Sequence, residues 1–262
     1  MKPAVNTVTL RSFAPEEIVT ILKDNRIDAV EWAGDVHVPP GETGKAESVK
    51  ALCEAKQITA TSYGSYYQCD RGGQGNGPFQ YDLGAEPALE TAKALGVNAL
   101  RVWGGRRGSE AASAAYRDEV ADCLRELCDQ AHSHGMTVHL EFHRNTLTDS
   151  AESAVALMEA VARDNLYSYW QPRHGVSVAE NIADIETLGV RLSHVHVFHW
   201  NLLEDGTIER RPLSEGRHRW QAYFKAMDPL PGERYAMLEF VRNDELGQLS
   251  EDAAALHAML GT

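Results

Sequence analysis

Cysteine is scarce in this chain: four residues in 262, Cys53, Cys69, Cys123 and Cys128, with no Cys-x-x-Cys pair and no dense framework. That spacing argues against a disulfide scaffold and predicts free thiols in a reducing compartment. Positive charge is short as well. Twenty-five Lys and Arg face 38 Asp and Glu, leaving a formal charge of −13. Long-range attraction to a polyanion is therefore disfavoured, and neither nucleic acid nor an anionic membrane is an expected partner. No stretch approaches the ~18 apolar residues of a membrane span, and the start Met1-Lys2-Pro3-Ala4-Val5 has no charged leader ahead of an apolar run. The expectation is a soluble, cytoplasmic protein with a small-molecule substrate. Low-complexity tracts, like-charge blocks and long linkers are all missing, and no Gly-x-Gly-x-x-Gly turn appears early, which argues against an open dinucleotide-binding sheet.

What is present is alternation. Strand-like segments run Val5 to Leu10, Ala29 to Trp32, Ile58 to Tyr63, Ala99 to Trp103, Thr137 to His143, Leu166 to Gln171, Ser193 to Phe198 and Tyr235 to Phe240. Helical patterns lie between them. Pro15-Glu16-Glu17 opens one with acidic residues where the helix dipole favours them; Asp149 or Ser150 caps the run through Ala162. Leu83 to Leu95 stops at Gly96 and Val178 to Leu188 at Gly189, as left-handed C-terminal glycines do. Strand, helix and glycine repeating at about 30-residue spacing is the βαβ signature. Eight such strands in one chain of this length predict an α/β fold, a single-domain (β/α)8 TIM barrel spanning residues 1–262. The glycine-rich run Gly72 to Gly77 reads as a loop over the barrel mouth, either a lid or ordinary surface. Arg106-Arg107 reads as solvated loop cations, with phosphate binding as the alternative.

The chemistry sits where these strands end. His139-Leu140-Glu141-Phe142-His143, Tyr169-Trp170-Gln171-Pro172, His194-Val195-His196-Val197-Phe198 and Leu238-Glu239-Phe240 each alternate polar with apolar residues. A period of two sends the polar set to the barrel axis and the apolar set to the helices. Glu141 and Glu239 then face one another across the mouth, where mutual repulsion calls for a cation or a shared proton. Adding His196 and Gln171 makes a mostly hard, open donor set of two carboxylates, one imidazole and one amide. That set suits one divalent metal ion, Mn2+ first, with Mg2+, Co2+ or Zn2+ as alternatives. His139 and His194 lie a layer deeper and are expected to be core or supporting residues; His132 and His134 belong to a helix end.

With these residues in view, the chain resembles the sugar phosphate isomerase/epimerase group of the xylose isomerase-like TIM barrels, from Glu31-Trp32-Ala33-Gly34-Asp35-Val36-His37 to Leu238-Glu239-Phe240-Val241. In its ketose epimerase branch a Glu, an Asp, a His and a Glu on strands five to eight hold one divalent ion. The resemblance places Glu141, His196 and Glu239 at three of those positions and neutral Gln171 at the fourth. It also makes His174, in Gln171-Pro172-Arg173-His174, a substrate-hydroxyl contact. The basic residue expected after strand seven has no counterpart in Trp200 to Asp205.

The resemblance implies an isomerase or epimerase of a sugar, sugar phosphate or related polyol ketone. It would work through an enediolate, with Glu141 and Glu239 as paired acid and base. Glu31, His37, Tyr63, Arg101, Trp103 and His143 are candidate substrate contacts beside His174. An inosose-dehydratase-like lyase uses the same constellation, and Gln171 keeps a non-catalytic sugar-binding barrel open. A homodimer is a possible assembly. The same barrels include the endonuclease IV type, a reading that the −13 charge argues against.

Overall fold

Eight parallel strands close on themselves into a ring in which the first strand pairs with both the second and the last. The computed structural model describes residues 1–70 and 84–262. The ring strands are β1 (Lys2–Asn6), β2 (Ala29–Ala33), β3 (Thr59–Gln68), β4 (Ala99–Trp103), β5 (Thr137–Leu140), β6 (Leu166–Trp170), β7 (Leu192–Val197) and β10 (Tyr235–Leu238). Helices α1 (Pro15–Asp24), α2 (Thr43–Lys56), α3 (Ala85–Leu95), α4 (Ala114–Ser133), α5 (Ala151–Val161), α6 (Val178–Leu188), α7 (Arg217–Met227) and α8 (Leu246–Leu260) surround them. This is the expected (β/α)8 barrel. Gly72 to Gly77 and Leu83 lie outside the described residues.

Local chemistry accounts for the helix ends. Pro15 is the first residue of α1, where its missing N–H costs nothing. The Ser150 side chain, not Asp149, accepts the Ser153 N–H to start α5, and Ser177 with Glu180 forms a capping box on α6. Gly96, at φ 78°, ends α3 in the left-handed region. The α4 helix carries buried Cys123 and Cys128 and ends at His134; all four cysteines are free thiols.

Outward-facing strand residues such as Val138, Leu140 and Trp170 pack against the helices; Trp170 meets Trp220 and Tyr223 edge-on at 6.1 and 5.1 Å. The interior differs. Its lower part is a small apolar group of Ala4, Ala29, Tyr169 and Met237 beside His139 and His194, whose rings stack at 5.6 Å. Burial holds these two histidines neutral, pushing them down to about 3 and about 4 respectively, each aided by a neighbouring histidine.

Several strand boundaries and one added hairpin depart from the sequence pattern. The first strand spans Lys2–Asn6, and Thr7–Leu10, expected to be strand, forms a 3-10 turn started by the Asn6 side chain accepting the Val8 N–H. Strand β3 runs on to Gln68, its register with β4 breaking after Gly64. An unexpected hairpin, β8 (His199–Leu202) and β9 (Ile208–Arg211), follows β7 and stands beside the mouth. Its turn is built by Asp205, whose side chain accepts the Thr207 N–H and O–H.

Gly64 serves the interior directly. A Cβ there would collide with the Arg101 guanidinium, lying 3.1 Å from Cζ and 3.3 Å from Nε. Gly64→Ala should therefore cost about 1–3 kcal/mol through overpacking, while Gly247→Ala on α8, with nothing within 4 Å, should be neutral or slightly stabilising. Chemical denaturation of both variants checks this; equal stabilities would show that Arg101 yields without cost.

Candidate active site

The axis of the barrel holds a buried chain of charge. Arg101, 1% exposed, donates from Nε to Glu31 Oε1 at 2.9 Å and from Nη1 to Glu141 Oε2 in a very short ion pair. Glu31 also accepts from the Ser62 and Tyr169 hydroxyls, both at 2.8 Å. Burial pushes the Glu31 carboxyl up, but Arg101, His196 and Tyr169 outweigh it and hold it well below the usual carboxylate range. The balance at Glu141 has the same sign: burial raises it, and Arg101, His143, His196 and the Trp103 N–H bring it below its ordinary value.

The backbone explains why the acidic residues reach this depth. Strands β5 and β10 end at Leu140 and Leu238, yet Glu141 N–H still donates to Val102 O at 2.9 Å and Glu239 N–H to Val197 O at 3.0 Å. The ladder thus carries one residue beyond each strand and fixes where both carboxylates emerge.

Around His196 four donors converge. Its Nδ1 lies 3.2 Å from Gln171 Oε1 and 3.3 Å from Glu239 Oε2. Glu141, His196 and Glu239 each bring one ligand-type atom within 4.8 Å of the others, and all three are buried. The other ring nitrogen, Nε2, lies 3.4 Å from Glu31 Oε1, and despite burial the flanking Glu239 and Glu31 hold this imidazole above its ordinary value. The donor set fits a divalent ion with open positions. Burial pushes Glu239 up to about 7, with His196 opposing and Glu141 and Glu31 adding to the rise; a nearby cation removes the reason for that proton.

The two carboxylates are dressed unequally. Glu141 Oε2 receives the Arg101 guanidinium and the Trp103 indole N–H, the latter at 2.5 Å. Glu239 receives the Asn6 amide, at 3.0 Å on Oε1, and His196 on Oε2.

Above them opens a cavity of about 600 Å3 lined by Glu141, His143, Gln171, His174, Trp200 and Glu239, among others. One wall is aromatic: His174 stacks on Trp200 at 5.1 Å, and Trp200 on Phe198 at 4.2 Å. Phe240 lines the cavity at φ 49°, a left-handed conformation that an aromatic residue adopts only under constraint. Arg210 sits over its ring at 4.7 Å.

The candidate substrate contacts divide. His143 and His174 line the cavity, and Trp103 stacks on His143 at 4.8 Å. Glu31 and Arg101 are buried in the ion-pair chain at the barrel axis and are not among the residues lining the cavity. His37 is buried against Thr7, Nδ1 to Oγ1 at 3.0 Å, and does not reach the cavity. Tyr63 requires correction as a substrate contact: strand parity turns Ser62 inward, so Tyr63 points into the helix layer and donates to Val38 O at 2.7 Å. Arg106 and Arg107 are also not simply solvated. Arg106 pairs with Asp70, and Arg107 lies 4.7 Å over Tyr116.

Asn6, Tyr169, Trp200 and Phe240 were not singled out by sequence reasoning. Inward parity on β1 would have found Asn6, had that strand been placed at residues 2–6.

A family model for the xylose isomerase-like TIM barrel matches residues 19–259. The chain belongs to that family. Among curated proteins, this xylose isomerase-like barrel is 38% identical over 70 residues to a 3-dehydroshikimate dehydratase of Bacillus anthracis, a match spanning 27% of this chain and 25% of that relative. Among solved structures, a probable 3-DHS dehydratase of Bacillus anthracis aligns over 98% of both chains with a TM-score of 0.78 at 20% identity. A D-psicose 3-epimerase aligns over 100% of both with a TM-score of 0.73 at 14% identity. Identities this low establish the fold alone.

The buried triad yields a stability test. In metal-free buffer, Arg101→Met leaves two buried carboxylates uncompensated and should cost about 3–5 kcal/mol. Adding Glu31→Gln should recover part of that loss; a double variant less stable than the single would sink this account.

Proposed function

We propose that this barrel is a divalent-metal-dependent dehydratase of a polyhydroxylated carbonyl compound. The observation carrying this reading is the unequal dressing of its carboxylates. Glu141 is held ionised by a guanidinium and an indole N–H, which makes it a poor base and a good ligand. Glu239 faces the same cavity with a neutral amide and His196 as its neighbours and no guanidinium, and burial raises it, which suits it to take and return a proton.

A divalent ion held by Glu141, Gln171, His196 and Glu239 would supply Lewis acidity at the substrate carbonyl. Glu239 takes the proton from the adjacent carbon, the freed electron pair forms a carbon–carbon double bond, and the β-hydroxyl's C–O bond breaks. The departing oxygen collects the proton from Glu239 and leaves as water, so one acid/base group suffices. Asn6 holds Glu239 in place from β1, and His143 and His174 on the cavity wall contact substrate hydroxyls. The local likeness to a 3-dehydroshikimate dehydratase supports the same reaction class.

A second reading is a 3-epimerase, in which Glu141 returns the proton on the opposite face; Glu141 lining the same cavity favours it. Incubation in D2O with Mn2+ separates the two. With 3-dehydroshikimate, elimination should give an aromatic product followed by ultraviolet absorbance, and Glu239→Gln should slow it about 10²–10⁴-fold. Deuterium gained by D-psicose or D-fructose without elimination would establish the epimerase instead, and full turnover by Glu239→Gln would refute both schemes.

Metal dependence is tested apart from turnover. Mn2+ at 100 times its Kd should stabilise the stripped protein by about 2.7 kcal/mol, and His196→Ala should abolish the shift. No melting shift with Mn2+, Mg2+, Co2+ or Zn2+ would remove the metal from the mechanism.

A further inference from the structure

The β8–β9 hairpin pairs Trp200 with Arg210 and Leu202 with Ile208. Directly opposed residues of an antiparallel pair share a face, and every second residue along each strand returns to it. All four line the mouth cavity, whereas His199, Asn201, Glu209 and Arg211, on the other face, do not. We propose that this face is the specificity-determining wall of the site: Trp200, Leu202 and Ile208 pack against the flank of a ring, and Arg210 pairs with a carboxylate that the ring carries. The inference rests on the reading of the mouth cavity as the substrate site and adds the class of substrate, a cyclic carboxylic acid.

The apolar character of the wall is the first reason. Three of its four residues are apolar or aromatic, and Val176, Phe198 and Phe240 continue that surface within the cavity. An open-chain polyol laid against it would leave hydroxyls without partners, whereas a ring with few hydroxyls on its outer edge would not. The wall is also fixed in advance. Phe198 and His174 stack on Trp200 at 4.2 and 5.1 Å, so little side-chain freedom is lost when a ligand packs there.

The free edge of Arg210 is the second reason. Its Nη1 donates to Asp244 Oδ1 at 2.9 Å and to Val241 O at 3.5 Å, and its Nε and Nη2 make no hydrogen bond with a described residue. Two parallel N–H groups on one guanidinium edge match the two oxygens of a carboxylate. Asp244 does not forbid this, because Arg101 at the axis already serves two carboxylates at once, Glu31 and Glu141. It does favour a carboxylate, with one negative charge, over a phosphate with about two.

Placement is the third reason. The Arg210 guanidinium lies 4.7 Å over the Phe240 ring, and the Trp200 ring is 5.7 Å from it. Phe240 directly follows Glu239, so the wall abuts the carboxylate that would move the proton.

Binding tests the proposal without turnover. With Mn2+ present, calorimetric titration of wild type should show 3,4-dihydroxybenzoate, the ring acid formed when 3-dehydroshikimate loses water, binding about tenfold more tightly than its neutral amide. Arg210→Gln should erase that preference, and Arg210→Lys, which keeps the charge without the two-point edge, should retain part of it. Arg211→Gln, on the opposite face of the hairpin, should keep it in full. So should Arg144→Gln, at another cavity arginine that has no ion pair with a described residue. Equal binding of acid and amide by wild type, a preference that survives Arg210→Gln, or one lost in Arg211→Gln or Arg144→Gln would each overturn the wall and leave the mouth a substrate site. Binding of neither compound would overturn the wall and that reading together.

Discussion

The Arg101 guanidinium is the group on which the barrel's interior depends. Glu31 and Glu141 are both buried, and two carboxylates at the axis of a barrel would each neutralise or push the structure apart without a cation between them. Arg101 supplies that cation from β4, and Gly64 on β3 clears the space it occupies. Tyr169 and Ser62 fill the remaining acceptor positions of Glu31. A fully satisfied polar network of this kind is rigid and orients whatever stands on it.

What stands on it is Glu141. Because one of its oxygens is tied to Arg101 and Trp103, the orientation and ionisation of this carboxylate are set before any ligand arrives. Glu239, close to it on the same rim, is held by a neutral amide and a histidine, and there the upward push of burial prevails where Arg101 overcomes it at Glu141. Two acidic residues on one rim thus acquire different chemistry from their neighbours alone, the pattern by which one site holds both a fixed anion and a proton carrier. The constrained Phe240, one residue beyond Glu239, adds to this preorganisation.

The period-two alternation on the later strands made the Glu141, His196 and Glu239 cluster legible from sequence, because parity and strand order together determine which side chains meet at a barrel mouth. Parity on β4 likewise turned Arg101 and Trp103 inward. The errors have physical origins. Thr7 to Leu10 alternates well enough for a strand, but the Asn6 side chain captures the Val8 N–H and winds the segment into a 3-10 turn; that displaced the first strand and hid Asn6. Tyr63 was a candidate substrate contact, but its neighbour Ser62 takes the inward face. The Asp205-Gly206 turn followed by Ile208-Glu209-Arg210-Arg211 carried a hairpin signal. With the barrel already complete at eight strands, it went unread, and with it the wall that Trp200 builds.

Gln171 is where the chain departs from the carboxylate that the epimerase branch carries, and the charge around it shows what the departure achieves. Glu31, Glu141 and Glu239 contribute three negative charges and Arg101 one positive, so a divalent ion would bring the ionised cluster to neutrality. An Asp at position 171 would leave it with one excess negative charge. In the proposed reaction, proton removal beside a carbonyl would build negative charge on the substrate at this spot, and in a buried, low-dielectric site an excess carboxylate would oppose that charge strongly. The amide keeps an oxygen 3.2 Å from His196 Nδ1 without the repulsion. Weaker attraction for the proposed metal would be the corresponding cost, at a site where Arg101 already fixes the Glu141 carboxylate in place.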